Sequence, residues 1–256
     1  MHCRRWLVAL FLALACIGAA AAKAEPRIAL VIGNAQYSGP MLPAMGTPAN
    51  DADLMAKTLT NLGFKVITVT DVDQKMMKRA INAFGDMLAS AGPTATSLFF
   101  YSGHGISVGG ESYMVPLNAH IERESDVDLE AIPIDVVLRQ IAFAGIATNI
   151  VIVDASQNNP LQRGFRSASR GLTRIGVDFP GAFISLSAAP GTLAEDGHGK
   201  HSAFVAALAE AMLTPDQTIH QVFESVRVKV LEATEHRQVT WESSTLIAPF
   251  HFVPQN

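Results

Sequence analysis

His104 and Ser156 are the pair of side chains in this sequence best suited to covalent catalysis, because an imidazole can take the proton of a hydroxyl nucleophile. Each follows an apolar run, residues 98–101 and 150–153, that predicts a strand buried on both faces. In open α/β sheets, ligands bind beyond the carboxyl ends of the strands. Asp154, which ends the second strand, and Ser156 are therefore expected at the functional edge of the sheet. Catalysis by this pair requires that His104 faces Ser156 across that edge.

Strands and helices alternate along the chain, which predicts an α/β fold with a largely parallel sheet covered on both faces. The predicted strands are residues 27–32, 65–69, 98–101, 111–116, 149–154, 179–186 and 244–253. The predicted helices are residues 50–62, 74–88, 133–143, 202–212 and 217–231. Residues 122–130 are expected to form an exposed acidic loop. Residues 161–180, which include Arg163, Arg166, Arg170 and Arg174, are expected to form a mobile loop.

The composition and the first residues indicate one exported domain. The chain has 256 residues, 49% of them apolar, and a net charge of −4 that does not favour nucleic-acid binding. Arg4 and Arg5, an apolar run at 6–17 and small residues up to Ala24 predict a secretory signal peptide at residues 1–24. We expect a periplasmic or extracellular protein that leaves the membrane after cleavage. The alternatives are an uncleaved anchor and a lipoprotein site at Cys16.

Cysteine chemistry is excluded from the predicted mature chain. Both cysteines, Cys3 and Cys16, lie within residues 1–24. A chain beginning at Glu25 therefore has no disulfide, no thiolate metal site and no cysteine nucleophile. The histidines, including His198 and His201, show no spacing typical of metal ligands. We therefore predict neither a metal nor another cofactor.

Several motifs taken together resemble one known group of peptidases. Tyr-Ser-Gly-His-Gly stands at 101–105 and Val-Asp-Ala-Ser-Gln-Asn-Asn-Pro at 153–160, with supporting matches at 29–34, 48–52, 113–116 and 237–241. These segments resemble bacterial caspase-like peptidases of the metacaspase and orthocaspase branch, peptidase family C14, over residues 27–252. The histidine of caspases precedes the nucleophile by about 50 residues, as His104 precedes Ser156. The resemblance implies a caspase-like three-layer α/β/α sandwich, with a six-stranded and mostly parallel sheet, over residues 25–256.

The resemblance also assigns catalytic roles. It makes His104 and residue 156 the catalytic pair of a cysteine-type endopeptidase. The backbone N–H groups of Gly105 and Ser156 would form the oxyanion hole. Gly103 and Gly105 are expected to let the backbone approach the substrate closely. The alternative for His104 is a structural histidine with satisfied hydrogen bonds.

Three further residues would form the recognition pocket. By resemblance, Asp51 and Asp154 line an acidic pocket for an Arg or Lys side chain, and Ser102 forms part of its wall. Two carboxylates in a cleft bind a guanidinium through charge-assisted hydrogen bonds. The alternatives are that Asp51 is a helix N-cap and that Asp154 is simply a polar strand end. The resemblance leaves calcium dependence and oligomeric state open.

The sequence departs from the family at one decisive position. Ser156 stands where the family has cysteine, and a serine hydroxyl is far less acidic than a thiol. The main hypothesis is a pseudopeptidase that binds an Arg/Lys-containing segment of a partner, or its own residues 161–180, with little or no proteolysis. The alternative is an active or slow endopeptidase that uses Ser156 and His104. A third hypothesis, an unrelated doubly wound binding protein, lacks any Gly-x-Gly-x-x-Gly motif after the first strand.

Overall fold

The main sheet of the described residues has six strands, of which one at the edge is antiparallel to its neighbour. The computed structural model describes residues 25–39, 42–156, 172–192, 194 and 199–253. Within them the strands are β1 Arg27–Gly33, β2 Lys65–Thr70, β3 Thr96–Val108, β4 Glu111–Met114, β5 Ile132–Pro133, β6 Thr148–Ser156, β7 Ala182–Leu186 and β8 Trp241–Ser244. The main sheet has the strand order β2-β1-β3-β6-β7-β8, with β8 antiparallel to β7. The predicted six-stranded, mostly parallel sheet is confirmed. The predicted signal peptide and residues 161–171 of the arginine-rich loop lie outside the described residues.

Helices cover both faces of the sheet. They are α1 Pro48–Asn61, α2 Gln74–Ala91, α3 Val127–Glu130, α4 Asp135–Ala144, α5 Ala203–Ala211 and α6 Ile219–Ala233. Alternate residues of β3 point into two separate cores: Leu98 and Phe100 pack with α1, α5 and α6, whereas Phe99 and Tyr101 pack with α2 and α4. This alternation has period 2, as the pleat requires. Within the described residues, no helix combines the length and the apolar character needed to cross a membrane.

Two predicted elements differ because buried contacts outweigh the local sequence signal. Residues 122–130 are not wholly an exposed acidic loop, because they contain a 3₁₀ turn at Glu124–Asp126 followed by α3, and Val127 is fully buried in a third apolar cluster. Pro133 does not open a helix. It lies in β5, paired with Tyr113 of β4, and α4 begins at Asp135.

The last strand also lies earlier than predicted. β8 spans Trp241–Ser244 and pairs with β7, whereas the strand was expected at residues 244–253. Phe250 and Phe252 of that segment are buried without belonging to a strand, and the Phe250 carbonyl accepts a hydrogen bond from the Ile219 N–H at the start of α6. Burial of apolar residues in an irregular segment produces an apolar pattern that resembles a strand.

Candidate active site

The predicted catalytic residues are neighbours on two adjacent parallel strands. β3 and β6 pair in register, with Ser102 opposite Asp154, Gly103 opposite Ala155 and His104 opposite Ser156. Neighbouring strands lie about 4.8 Å apart, so the backbones of His104 and Ser156 are adjacent. β3 continues through its motif to Val108, and β6 continues as far as Ser156, so both catalytic residues lie within strands.

The His104 ring is oriented by a backbone carbonyl. It is 3% exposed, its Nε2 lies 2.8 Å from the Pro43 carbonyl oxygen, and its centroid is 4.5 Å from that of Tyr37. A carbonyl only accepts, so Nε2 carries the proton, and in the neutral ring Nδ1 is the acceptor that a general base needs. The sequence motif shows no orienting carboxylate and gives no sign of Pro43, because a backbone acceptor has no residue signature.

Two buried tyrosines hold the backbone on either side of the His104 α-carbon. The Tyr101 hydroxyl donates to the His104 carbonyl over 2.7 Å, and the His104 N–H donates to the Tyr37 hydroxyl over 3.2 Å. Burial raises the pKa of both tyrosines, which keeps the hydroxyls protonated at neutral pH. The Tyr37 contact ties β3 to the loop that also supplies Pro43. The sequence pattern placed Tyr101 in the strand core and indicated no role for Tyr37.

Gly103 and Gly105 make room for the protein's own atoms. Gly103 has φ +155°, and a Cβ there would lie 2.7 Å from the Tyr101 hydroxyl oxygen and 2.9 Å from that of Tyr37. A Cβ on Gly105 would lie 2.8 Å from the Ala155 Cβ and 3.0 Å from Leu172 Cδ2. Both glycines therefore allow close approach of neighbouring side chains. The expected close approach to substrate stays a prediction.

The Gly105 N–H points away from β4. The His104 carbonyl accepts a hydrogen bond from the Val115 N–H over 3.1 Å, on the β4 side. All described peptide bonds are trans, so the N–H of the 104–105 peptide points opposite to its carbonyl, toward the side of β6. This direction suits the oxyanion-hole role that the resemblance assigned to Gly105.

Asp51 and Asp154 converge on one residue that the sequence did not single out. Asp51 has no exposed surface, and its Oδ1 lies 3.2 Å from the Ser202 N–H nitrogen and 3.2 Å from His201 Nδ1. Asp154 is 5% exposed, and its Oδ2 accepts a 2.6 Å hydrogen bond from Ser202 Oγ. Ser102 is buried beside Asp154 on the next strand. The predicted pocket residues therefore lie together.

Local sequence explains how Asp51 reaches the sheet. The N-cap of α1 is Thr47, so Asp51 is in the first turn but is not the N-cap considered as an alternative. A Cβ on Gly33 would overlap the Pro48 carbonyl oxygen and lie 2.6 Å from the Ala52 Cβ. Gly33 thus lets the first turn of α1 lie directly against β1, which brings Asp51 beside the carboxyl edge of the sheet.

The electrostatics of the site favour a neutral His201. Burial, followed by the positive charges of Lys200 and Lys57, lowers the pKa of His201. The neutral ring donates its Nδ1–H to Asp51, since a carboxylate can only accept. Among the described residues, no group of three or more His, Cys, Asp or Glu side chains is placed to hold a metal ion.

The family follows from a comparison with known protein families. Residues 26–251 match the Caspase domain of peptidase family C14, which is most of the chain. The chain belongs to this caspase family of cysteine endopeptidases. Its fold matches the crystal structure of caspase-1 from Spodoptera frugiperda with a TM-score of 0.63 and 18% identity, over 89% of this chain and 90% of that one.

Curated relatives of this caspase-domain protein are distant. The human mucosa-associated lymphoid tissue lymphoma translocation protein 1 is 32% identical over 96 residues, which is 38% of this chain. Its mouse homolog matches with the same identity and length. The chain spans 11% of the length of these relatives. The predicted caspase family is confirmed, whereas its metacaspase and orthocaspase branch stays a prediction.

Proposed function

We propose that this caspase-domain protein binds an Arg- or Lys-containing segment and cleaves it slowly or not at all. The observation that carries the proposal is the convergence of two buried carboxylates, Asp51 and Asp154, beside the register pair of His104 and Ser156. A guanidinium bound between these carboxylates would have its peptide backbone at the adjacent catalytic edge. We further propose that the protein is exported and acts on a partner outside the cytoplasm, as residues 1–24 predict.

The weak proteolysis follows from the chemistry of Ser156. Caspase-type catalysis uses a thiol, which ionises at a pKa near 8.5 and is strongly nucleophilic. A hydroxyl needs a base positioned to take its proton. Oxygen is also smaller than sulfur, so a site shaped for a thiol places the serine oxygen poorly. A misplacement of about 1 Å can lower the rate about 10²-fold. We therefore expect recognition to persist while cleavage is small.

A second candidate is a serine endopeptidase that cleaves after Arg or Lys. The specific observation in its favour is the Nε2 hydrogen bond from His104 to Pro43, which makes Nδ1 the acceptor of the neutral ring. An oriented imidazole with a defined tautomer is what a serine nucleophile requires from its base. In this candidate Ser156 attacks the carbonyl carbon, His104 takes the hydroxyl proton, and the Gly105 N–H stabilises the oxyanion.

The experiment compares wild type, Ser156→Ala and Ser156→Cys. Each purified full chain is incubated with a fluorogenic peptide that has Arg at the cleaved position, and binding of an uncleavable Arg peptide is measured in parallel. We expect all three to bind with similar affinity, wild type to cleave little or not at all, and Ser156→Cys to cleave clearly.

Each outcome separates the candidates. Cleavage by wild type that disappears in Ser156→Ala supports the serine endopeptidase. An absence of Arg-peptide binding in all three refutes the recognition pocket. Binding without any cleavage by Ser156→Cys would show that the site has lost more than the sulfur atom.

A further inference from the structure

Residues 199–202, which lead into α5, cover the two carboxylates of the proposed pocket. Asp51 is fully buried, Asp154 is 5% exposed, and both accept hydrogen bonds from this segment. A guanidinium must bring its N–H groups within about 3 Å of a carboxylate to bind it. A basic side chain from outside therefore reaches Asp51 only after part of the segment moves.

Ser202 is the fixed part of the segment. It is buried, and its Oγ donates to Asp154 while accepting from the Val205 N–H over 3.1 Å as the N-cap of α5. Phe204 and Val205 follow it directly into the apolar core. Moving Ser202 would break the helix cap and shift this packing, so Ser202 acts as a wall of the pocket.

His201 is the part of this segment that can move away from Asp51. Its side chain is 23% exposed, and the preceding Gly199 and Lys200 are exposed. Its side chain contacts the pocket through the 3.2 Å approach of Nδ1 to Asp51 Oδ1. Because its pKa is lowered, the imidazole is a neutral donor at neutral pH. A guanidinium is permanently charged and donates several N–H groups in one plane, which makes it a stronger partner for the same oxygen.

We propose that His201 is an internal occupant of the basic-residue pocket and determines access to it. Its imidazole takes the place on Asp51 that the guanidinium of a ligand occupies, and the ligand binds by displacing it. This inference rests on the proposed function, since it concerns the same pocket. The apparent affinity for an arginine ligand then equals the affinity of the open pocket multiplied by the fraction of molecules in which His201 has left Asp51.

The test measures binding of argininamide to the purified full chain by titration calorimetry. His201→Ala removes the occupant, whereas His201→Asn keeps an amide N–H near the position of Nδ1. His120→Ala is the matched control, because His120 is exposed on a loop outside the pocket. One hydrogen bond to a charged group corresponds to a factor of about 10 or more in affinity. We expect His201→Ala to bind at least about tenfold more tightly than wild type, with the other two variants unchanged.

Asp154→Asn distinguishes failure of this inference from failure of the proposed function. If wild type and His201→Ala bind argininamide equally and Asp154→Asn does not bind it, the proposed pocket stands and the role of His201 is overturned. Weaker binding by His201→Ala also overturns it, since His201 would then be part of the ligand-binding surface. Undetectable binding in every variant refutes the pocket itself, and the inference falls with it. Tighter binding by both His201→Ala and His201→Asn would refute the proposal that the His201–Asp51 hydrogen bond limits access. The size of the imidazole would then be what closes the pocket.

Discussion

Replacing Asp51 by Asn should abolish most of the affinity for arginine while leaving the shape of the pocket nearly unchanged. Asp51 is fully buried, and the proposed guanidinium site is its Oδ1, which accepts from Ser202 and His201 in the unliganded protein. A hydrogen bond to a charged group contributes about 1.5–3 kcal/mol, whereas one between neutral groups contributes about 1 kcal/mol. Loss of the charge, together with loss of one of two accepting oxygens, should weaken binding about 10- to 100-fold.

Asp53→Asn is the matched control for this experiment. Asp53 lies on the same helix two residues further on, and its side chain is exposed. Both variants change the net charge equally, so a general electrostatic attraction would weaken binding equally in both. Argininamide affinity is measured by calorimetry in the full chain at low and physiological salt, because buried pairs are screened less than exposed charges. The pocket assignment is refuted if Asp51→Asn binds like wild type, or if Asp53→Asn loses as much affinity.

Two further predictions concern stability. Gly33→Ala should lower the free energy of unfolding by about 1–3 kcal/mol, because the added methyl overlaps the Pro48 carbonyl. Gly176→Ala, the control, should leave thermal unfolding unchanged, because nothing lies within 4 Å of its Cβ position. An equal effect of both substitutions would contradict the packing argument. Burial raises the pKa of Tyr37 and Tyr101, so the folded state keeps both protonated where the unfolded chain ionises them. Their stabilisation is complete below about pH 10 and is lost as the pH rises further, at up to about 1.4 kcal/mol per pH unit for each tyrosine. As the pH is raised, near-ultraviolet phenolate absorbance should therefore increase together with loss of circular dichroism. Ionisation of these tyrosines near pH 10 in the folded protein would contradict this prediction.

The position of the site was predictable because it depends on chain topology. Two buried apolar runs, each joined to a polar motif, are expected to place those motifs at one edge of a parallel sheet. The structure accordingly pairs His104 with Ser156 in register. The family resemblance also assigned Asp51 and Asp154 to one pocket, and the structure places both at this edge, in the first turn of α1 and in β6. These inferences needed only strand order, residue type and the family resemblance.

Other parts of the site depend on contacts between distant segments, which no local pattern encodes. The Pro43 carbonyl orients His104 across 61 residues of sequence, and its donor–acceptor distance depends on how one loop folds over β3. His201 reaches Asp51 across 150 residues. A backbone oxygen and a loop histidine have no distinguishing residue pattern. The role of Pro43 arises only when its loop folds over β3, and that of His201 only when α1 and α5 pack on the same face of the sheet.

The catalytic edge around His104 and Ser156 depends on both the residue order and the packing of the chain. Residue order along the chain specifies which atoms are available at the catalytic edge, including the absence of a thiol from residue 25 onward. Packing specifies how those atoms are held: Gly103 admits two tyrosine hydroxyls, Gly33 admits α1, and Ser202 joins α5 to Asp154. Chemical identity is a local property of the sequence, whereas the distances and burial that set reactivity and access are properties of the packed chain.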